Sequence, residues 1–320
     1  MISWKIICVL IWGIIYNIMN IYLPIAEISV NIFVILGLGG LTGILSGLFG
    51  VGGGFLMTPL LIFIGIPPSI SVSTVANQII ASSVTGFIAH WKRKNVDLKM
   101  GSYLLGGGLI GSTLGVIMFR WLKQLGHIDL IISILYVTFL GIIGSMMVAE
   151  SLRSIMKIPK KVVANPSQPL AERLPFKADF PRSKRNLSII MPIIIGFFVG
   201  GMVSLMGVGG GFFLIPAMIY LLGMPTNVVI GTSLFQIIFI TANVTLLQSI
   251  TTQTVDLLLA LLLIAGSVFG VQIGIRIGDK LPADYLRALL AVIVLIVAIK
   301  LAFTLFTPPT EIYSVGIIDD

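Results

Sequence analysis

The sequence predicts an all-α polytopic membrane protein: two inverted-topology repeats of about five helical segments each, preceded by an N-terminal span. Three observations predict this fold class. Hydrophobic residues make up 57% of the 320 residues and charged residues only 10%, whereas a soluble chain carries about a quarter charged residues. The string Gly-Val-Gly-Gly-Gly occurs twice. Basic residues are concentrated in loops between apolar runs, so loops can be assigned to sides of a membrane.

Apolar segments follow one another along the whole chain, and several approach the ~20 residues that cross a bilayer. They cover residues 6–23, 31–49, 54–66, 72–91, 101–119, 129–149, 188–206, 211–223, 227–249, 256–277 and 286–306. The segments 54–66 and 211–223 are too short to cross about 30 Å of hydrocarbon at about 1.5 Å per residue. These two either extend back through the glycines or form half-helices.

The predicted organisation has five parts. These are an N-terminal span (1–30), a first transmembrane repeat (31–150), a basic linker (151–187), a second transmembrane repeat (188–307) and a tail (308–320). The linker holds nine of the twenty Lys and Arg residues, which places it and the N-terminus in the cytoplasm. Its prolines and polar residues predict a flexible segment. Because the basic residues follow this pattern, the net charge of +8 does not indicate a nucleic-acid partner.

The two halves correspond well beyond the glycines. Matching pairs are Phe55 and Phe212, Pro59 and Pro216, Thr74 and Thr232, Gln78 and Gln236, Asp97 and Asp256, Gly111 and Gly270, and Gly115 and Gly274. The last two pairs belong to small-x-x-x-small patterns, which favour close helix packing. Charge in the loops fits an odd number of segments per half, and this inverts the second half. The loop with Arg120 and Lys123 fits least well, since it falls outside.

The glycine strings are the strongest candidates for a binding site. A helix that begins after Gly52, Gly53 and Gly54, or after Gly209, Gly210 and Gly211, presents unpaired N–H groups and the positive end of its dipole. Such a terminus binds anions. In an inverted repeat the two termini face each other near the midplane, where interrupted helices of transporters hold their solute. The alternative is that the glycines only permit close packing.

Polar side chains within the spans are the second candidates. Thr74 and Gln78 are four residues apart and share a helix face, and Thr232 and Gln236 repeat the pattern. Their hydroxyl and amide groups could donate hydrogen bonds to sulfonate, sulfite or carboxylate oxygens. Interhelical hydrogen bonding is the alternative interpretation.

Catalytic, metal-binding and cofactor-binding groups are not indicated. No Asp or Glu lies in the middle of a span, so a carboxylate proton relay is not supported. One Cys and two distant His residues make neither a nucleophile–base pair nor a metal cluster. We expect no enzymatic activity, no cofactor and no metal.

The stretches Gly47–Phe55 and Gly207–Phe212, each followed by a proline (Pro59 and Pro216), resemble the TauE/SafE sulfite exporter family, also called the toluenesulfonate uptake permease family. The resemblance runs from about residue 33 to residue 306. It implies transport of sulfur-containing oxyanions, such as sulfite and organosulfonates, across the bacterial inner membrane.

The leading hypothesis is therefore a secondary transporter that carries a small sulfur-containing anion by alternating access. A passive anion channel is the alternative within transport. A membrane-embedded enzyme and an assembly factor that docks partners on the basic linker are weaker alternatives. The expected partners are a small anionic solute and the lipid bilayer. The sequence leaves open whether copies associate as a homo-oligomer, what the solute is, and in which direction it moves.

Overall fold

A computed structural model describes residues 20–155, 177–180, 185–278 and 283–306, which are almost entirely helical. The helices of the first half are α1 (Ile32–Phe49), α2 (Gly54–Phe63), α3 (Pro68–Lys92), α4 (Leu98–Gln124) and α5 (Ile128–Ile155). Those of the second half are α6 (Ile190–Met206), α7 (Gly211–Tyr220), α8 (Thr226–Thr251), α9 (Leu257–Gly278) and α10 (Ala283–Phe306). Two hairpins are formed by β1 (Asn20–Leu23) with β2 (Ile28–Asn31) and by β3 (Lys177–Phe180) with β4 (Arg185–Ser188).

The prediction of an all-α polytopic membrane protein is confirmed. Within the described residues, seven helices (α1, α3, α4, α5, α8, α9 and α10) are long and apolar enough to cross a membrane. Helices α2 and α7 have ten residues each, so each is about 15 Å long and reaches about halfway through the hydrocarbon. The short segments are therefore half-helices, separated from the preceding helices by the glycine strings.

The structure differs from the sequence prediction at the start of the described chain. Residues 20–23, assigned above to the end of a span, form β1 and pair antiparallel with β2, Asn20 opposite Asn31. Pro24 has no N–H to continue a helix, and Glu27 has a φ of 55°, so the chain turns back. The rest of the predicted span lies outside the described residues.

The linker also differs from the prediction where it is described. Helix α5 continues to Ile155, and residues 177–180 and 185–188 are strands rather than flexible chain. The ammonium group of Lys99 donates to the carbonyl oxygen of Asp179 at 2.8 Å. This contact holds β3 against the start of α4. The remainder of the linker lies outside the described residues.

The chain divides into two compact units. The first contains residues 1–129 and 160–281. In it, the most extensive helix contacts join α1 to α9, α4 to α6 and α3 to α8. Each contact joins one half to the other, and the first two are equivalent: the first helix of each half packs on the fourth helix of the other. This reciprocal exchange is what a two-fold relation between the halves produces.

Small residues make these contacts close. A Cβ atom at Gly111 of α4 would overlap the carbonyl oxygen of Phe197 of α6. A Cβ atom at Gly270 of α9 would overlap the carbonyl oxygen of Gly40 of α1. The small-x-x-x-small patterns therefore bring helix backbones together, as they do in other membrane proteins.

Helices α3 and α8 run antiparallel. The side chain of Ser73, near the start of α3, lies 2.7 Å from that of Thr254, just after the end of α8. The hydroxyl of Thr232, near the start of α8, accepts a hydrogen bond from the N–H of Asp97, just after the end of α3. This one pair of equivalent helices thus points in opposite directions, as the predicted inverted repeats would require.

Two apolar clusters of the first unit draw on both halves. One includes Leu104, Val199 and Val244, and the other includes Ile79 and Ile237. The second unit contains residues 130–159 and 282–320, and therefore most of α5 and α10. In it, a Cβ atom at Gly144 would lie 3.1 Å from a Val294 methyl group.

Candidate functional site

Each glycine string ends one helix and begins the next. In the first glycine loop, Gly50–Gly54, Gly50 has a φ of 68° and its N–H donates to the carbonyl oxygen of Ser46 at 2.8 Å. In the second glycine loop, Gly207–Gly211, Gly207 has a φ of 63° and donates to Val203 at 2.8 Å. Glycine is the usual residue for this left-handed cap, because it has no Cβ atom to clash.

The two glycine loops lie against each other. A Cβ atom at Gly54 would lie 2.7 Å from the carbonyl oxygen of Gly207, and one at Gly211 would lie 2.8 Å from that of Val51. No larger residue fits at either position without a shift of the backbone. The structure thus brings together the two predicted glycine motifs, which are more than 150 residues apart in the sequence.

The first aromatic side chains of the two half-helices meet as well. The rings of Phe55 and Phe212 are stacked, with centroids 4.8 Å apart and an interplanar angle of 9°. Both residues lie one position after the glycine that begins their helix. The N-terminal ends of α2 and α7 are therefore neighbours.

Within the first glycine loop, Gly53 lies beside polar residues. Gly53 has a φ of 74°, and a Cβ atom there would lie 3.1 Å from the Thr42 carbonyl oxygen and 3.2 Å from the Ser46 Cβ. The amide nitrogen of Gln78 would lie 3.6 Å away. Thr42, Ser46 and Gln78 are all buried. Three polar residues thus lie beside the residue that precedes α2: Thr42 through its backbone carbonyl oxygen, Ser46 through its Cβ atom and Gln78 through its amide nitrogen.

The surroundings of the second glycine loop are apolar. A Cβ atom at the equivalent Gly210 would lie 3.1 Å from methyl groups of Val199 and Val203 and 3.5 Å from Ile237. The sequence predicts two equal halves of one anion site, whereas the side chains beside Gly53 and Gly210 differ.

Two serines of α3 also face the first glycine loop. Ser82 donates to the carbonyl oxygen of Gly52 at 3.1 Å. The Ser83 hydroxyl would lie 3.4 Å from a Cβ atom at Gly52, is fully buried, and has no hydrogen-bond partner among the described residues. At the equivalent position of α8, Thr241 donates to the carbonyl oxygen of Ile237 at 2.7 Å. Among the described residues, the first loop therefore has an unpaired buried hydroxyl beside it, whereas the residue equivalent to Ser83 in the second half is paired.

The first loop also has more unpaired backbone N–H groups than the second. At the first loop, the N–H groups of Gly54, Phe55 and Leu56 have no acceptor among the residues that the structure describes. At the second, the N–H of Gly211 donates to Gly209 at 2.6 Å and that of Phe213 donates to Gly210 at 3.1 Å. The start of α2 therefore offers more unused donors than the start of α7.

The two predicted glutamines occupy different environments. Gln78 lies beside Gly53, and its amide nitrogen donates to the Thr42 hydroxyl at 3.4 Å. Gln236 turns towards α4, where its amide nitrogen donates to the carbonyl oxygen of Leu104 at 3.3 Å. Both side chains are fully buried, and neither amide oxygen has a partner among the described residues. Gln78 is therefore at the first loop, whereas Gln236 is placed by a helix contact.

The two predicted threonines connect the halves. The Thr74 hydroxyl accepts from the N–H of Asp256 at 3.0 Å, and the Thr232 hydroxyl accepts from the N–H of Asp97 at 3.0 Å. Asp256 and Asp97 cap α9 and α4 through their carboxylates. We call these two equivalent contacts the clasps. The clasps use the threonine oxygens for contacts between halves, which favours the interhelical alternative for this pair.

One apolar side chain contacts both glycine loops. Methyl groups of Ile79 would lie 3.4 Å from a Cβ atom at Gly52 and 3.3 Å from one at Gly209, and one would overlap a Cβ atom at Gly54. Ile79 is fully buried. It therefore packs beside both the start of α2 and the second glycine loop.

Thr42, Ser46 and Ser83 were not predicted as site residues. A comparison of the two halves of the sequence could have identified Thr42 and Ser46. Thr42 and Ser46 are replaced by valines, Val199 and Val203, at the same distance from the second glycine string. Polar residues present in only one repeat indicate a site that the repeats do not share.

Comparison with known proteins gives a consistent result. The family model for the sulfite exporter TauE/SafE matches residues 35–301. The chain is 31% identical to the "Probable membrane transporter protein YjnA" of Bacillus subtilis (strain 168) over 268 residues, covering 82% of this chain and 97% of that protein. It is 27% identical to the "Probable membrane transporter protein YunE" of the same organism over 284 residues, covering 86% and 98%.

A plant protein shares part of the chain. The "Sulfite exporter TauE/SafE family protein 3" of Arabidopsis thaliana is 34% identical over 98 residues, covering 30% of this chain and 21% of that protein. No solved structure matches the chain.

Proposed function

The chain belongs to the sulfite exporter TauE/SafE family of membrane transporters, and from this premise we propose that it is a secondary transporter of small sulfur-containing oxyanions, such as sulfite and organosulfonates. We place the anion at the first glycine loop. The second loop forms the opposing wall. The proposal includes no enzymatic step.

The observation that carries this assignment is the buried Ser83 hydroxyl beside the start of α2. A buried hydroxyl without a partner costs about 1–3 kcal/mol, so its presence needs a reason. The unpaired N–H groups of Gly54 and Phe55 belong to the helix terminus that Ser83 faces. Hydroxyl and N–H donors at the positive end of a helix dipole are suited to an oxyanion.

The proposed mechanism is alternating access, and the interlocked halves support it. The Thr74–Asp256 clasp joins the start of α3 to the loop after α8, and the Thr232–Asp97 clasp joins the start of α8 to the loop after α3. Because α3 and α8 are antiparallel, the two clasps lie at opposite ends of this helix pair. Opening one clasp while the other stays closed would expose the anion to one side at a time.

The proposed topology puts the N-terminus and the linker in the cytoplasm of a bacterial cell, with the protein in the inner membrane. Two lysine contacts support this assignment. Lys99, at the start of α4, donates to the carbonyl oxygen of Asp179 in the linker, so the start of α4 lies on the side that the topology assigns to the inside. Lys123, near the end of α4 and in the loop predicted to lie outside, donates to the carbonyl oxygen of Thr252 at 2.9 Å, so the end of α8 lies on that side as well.

Flux of labelled sulfite into proteoliposomes tests the function. A panel of sulfonates and carboxylates, supplied at increasing concentration, tests selectivity. We expect saturable uptake of the sulfur oxyanions and weak uptake of the carboxylates. Uptake that stays proportional to concentration would indicate a passive channel, and no uptake of any sulfur oxyanion by folded protein would overturn the proposal.

Gly53→Ala and Gly210→Ala form a matched pair that tests the site. Both glycines have positive φ, 74° and 63°, and both have neighbours at about the same distances, so alanine imposes a similar backbone cost at each. We expect both variants to lose similar stability, whereas Gly53→Ala loses at least about tenfold more sulfite affinity, a difference of about 1.4 kcal/mol. Equal losses of affinity would contradict placement at the first loop.

A further inference from the structure

Gln78 has a buried acceptor that an oxyanion cannot satisfy. Its amide oxygen has no partner among the described residues, and the side chain is fully buried. Fully deprotonated sulfur oxyanions only accept hydrogen bonds, and so does an amide oxygen. If the anion binds beside Gly53, as the proposed function requires, only a ligand that carries its own donor can pair with this oxygen.

The orientation of the Gln78 amide is set by its other contact. The Thr42 hydroxyl donates to the carbonyl oxygen of Leu38 at 2.9 Å, so it is an acceptor towards Gln78 and requires the amide nitrogen on its side. Exchanging the amide oxygen and nitrogen would leave two acceptors facing each other. The oxygen is therefore the atom left for a ligand.

The charge around the site limits the charge of the ligand. The residues of α1, α2, α6 and α8 include no charged side chain, and these helices pack against α3 together with α9. The helix terminus contributes about half an elementary charge. Burying a second negative charge without a cation is costly, so the site favours a monoanion over a dianion.

We propose that the first glycine loop binds monoanions and binds most tightly those that carry their own O–H or N–H donor, so that hydrogen sulfite is bound in preference to the sulfite dianion and to sulfonates without such a donor. The sulfur-bound oxygens accept from Ser83 and from the N–H groups at the start of α2. The O–H group donates to the amide oxygen of Gln78. This inference rests on the proposed function and specifies the protonation state of its substrate.

Uptake as a function of pH tests the proposal on the unmodified protein. Proteoliposomes with the same buffer on both sides receive labelled sulfite, whose second proton dissociates near neutral pH, or methanesulfonate, a permanent monoanion without an O–H group. At a subsaturating total concentration of sulfite, its uptake should fall about tenfold for each pH unit above the pKa of that second proton. Methanesulfonate uptake should stay within about twofold.

The methanesulfonate series also controls for titration of the protein. The charged or titratable groups on α3 and on the helices packed against it are His90 and Lys92 in the last turn of α3 and Arg276 in the last turn of α9. Asp256 caps α9 beside Thr74, one turn before Gln78. Titration of any of these groups would change the uptake of both anions, whereas titration of the ligand changes only that of sulfite.

Gln78→Met and Gln248→Met provide the matched variants. Gln248 is also fully buried, donates from its amide nitrogen to the carbonyl oxygen of Ser204 at 3.1 Å, and has an amide oxygen without a partner in the described part of the chain. We expect Gln78→Met to reduce the preference for hydrogen sulfite over methanesulfonate by about 3- to 10-fold. Gln248→Met should leave that preference unchanged.

The outcomes separate the two proposals. Sulfite uptake that is constant or rises with pH, or a preference unaffected by Gln78→Met in folded protein, would overturn the monoanion assignment and leave the transport function standing. Absence of uptake for both anions at every pH would overturn the transport function and this inference with it. The wild-type pH series decides the question even if Gln78→Met does not fold.

Discussion

Replacement of Ser83 by alanine should weaken anion binding without weakening the fold. The Ser83 hydroxyl is fully buried and has no partner among the described residues. Removing it therefore breaks no hydrogen bond of the protein. Most substitutions that reduce function at buried positions also reduce stability, so the expected separation of the two effects is diagnostic.

The magnitudes follow from the contacts of the hydroxyl. A hydrogen bond to a charged group contributes about 1.5–3 kcal/mol, which corresponds to a loss of about 10- to 150-fold in affinity. The free energy of unfolding should stay the same or rise, because a buried hydroxyl without a partner costs about 1–3 kcal/mol. Ser82→Ala is the control: Ser82 donates to the carbonyl oxygen of Gly52, and its removal should lower stability by about 1 kcal/mol.

The assay combines two measurements on purified protein. Thermal unfolding without ligand reports stability, and the rise in midpoint with increasing sulfite reports affinity, because a ligand that binds only the folded state stabilises it by mass action. We expect Ser83→Ala to keep its midpoint and to need at least about tenfold more sulfite for the same rise. A Ser83→Ala variant with lower stability and unchanged affinity would refute the reasoning.

Three further predictions concern the surroundings of the site. Thr232→Val leaves the N–H of Asp97 without its acceptor, so thermal unfolding should show a loss of about 1–3 kcal/mol, with a far smaller loss of sulfite affinity than in Ser83→Ala. Ile79→Ala removes the side chain that contacts both glycine loops; we expect a loss of about 2–5 kcal/mol and, in competition assays, acceptance of bulkier sulfonates. Gly111→Val should prevent accumulation of folded protein, because the valine side chain would overlap the backbone of α6. Gly106→Val is the control and should fold, since no atom lies within 4 Å of a Cβ atom at Gly106.

Much of the fold is predictable because it depends on local chemistry. Long apolar runs give the spanning helices, and glycine at a left-handed cap ends α1 and α6 where the sequence repeats itself. The first predicted span fails at its end because Pro24 and the turn around Glu27 allow a hairpin. The polar contact of Lys99 with Asp179 orders part of a linker whose composition indicates flexibility.

The sequence repeat predicts only the part of the candidate site that the two halves share. Sequence repetition identifies what the halves share, and it therefore assigned equal roles to Gly53 and Gly210. The difference between the loops depends on Thr42 and Ser46, whose contacts with the first loop arise from helix packing. The repeated Thr74 and Thr232 looked like ligands, but they accept from backbone groups of the opposite half. Distinguishing such roles requires knowledge of the hydrogen-bond partner of each polar atom, which only the structure provides.

The most direct test of the account is the position of a bound oxyanion. Crystals or cryo-EM samples prepared with selenite, a heavier analogue of sulfite, would locate the anion through the strong scattering of selenium. We predict one selenium site within hydrogen-bonding reach of the Ser83 hydroxyl and the N–H groups at the start of α2. A selenium site at the second glycine loop alone, among Val199 and Val203, or away from both loops, would contradict the account.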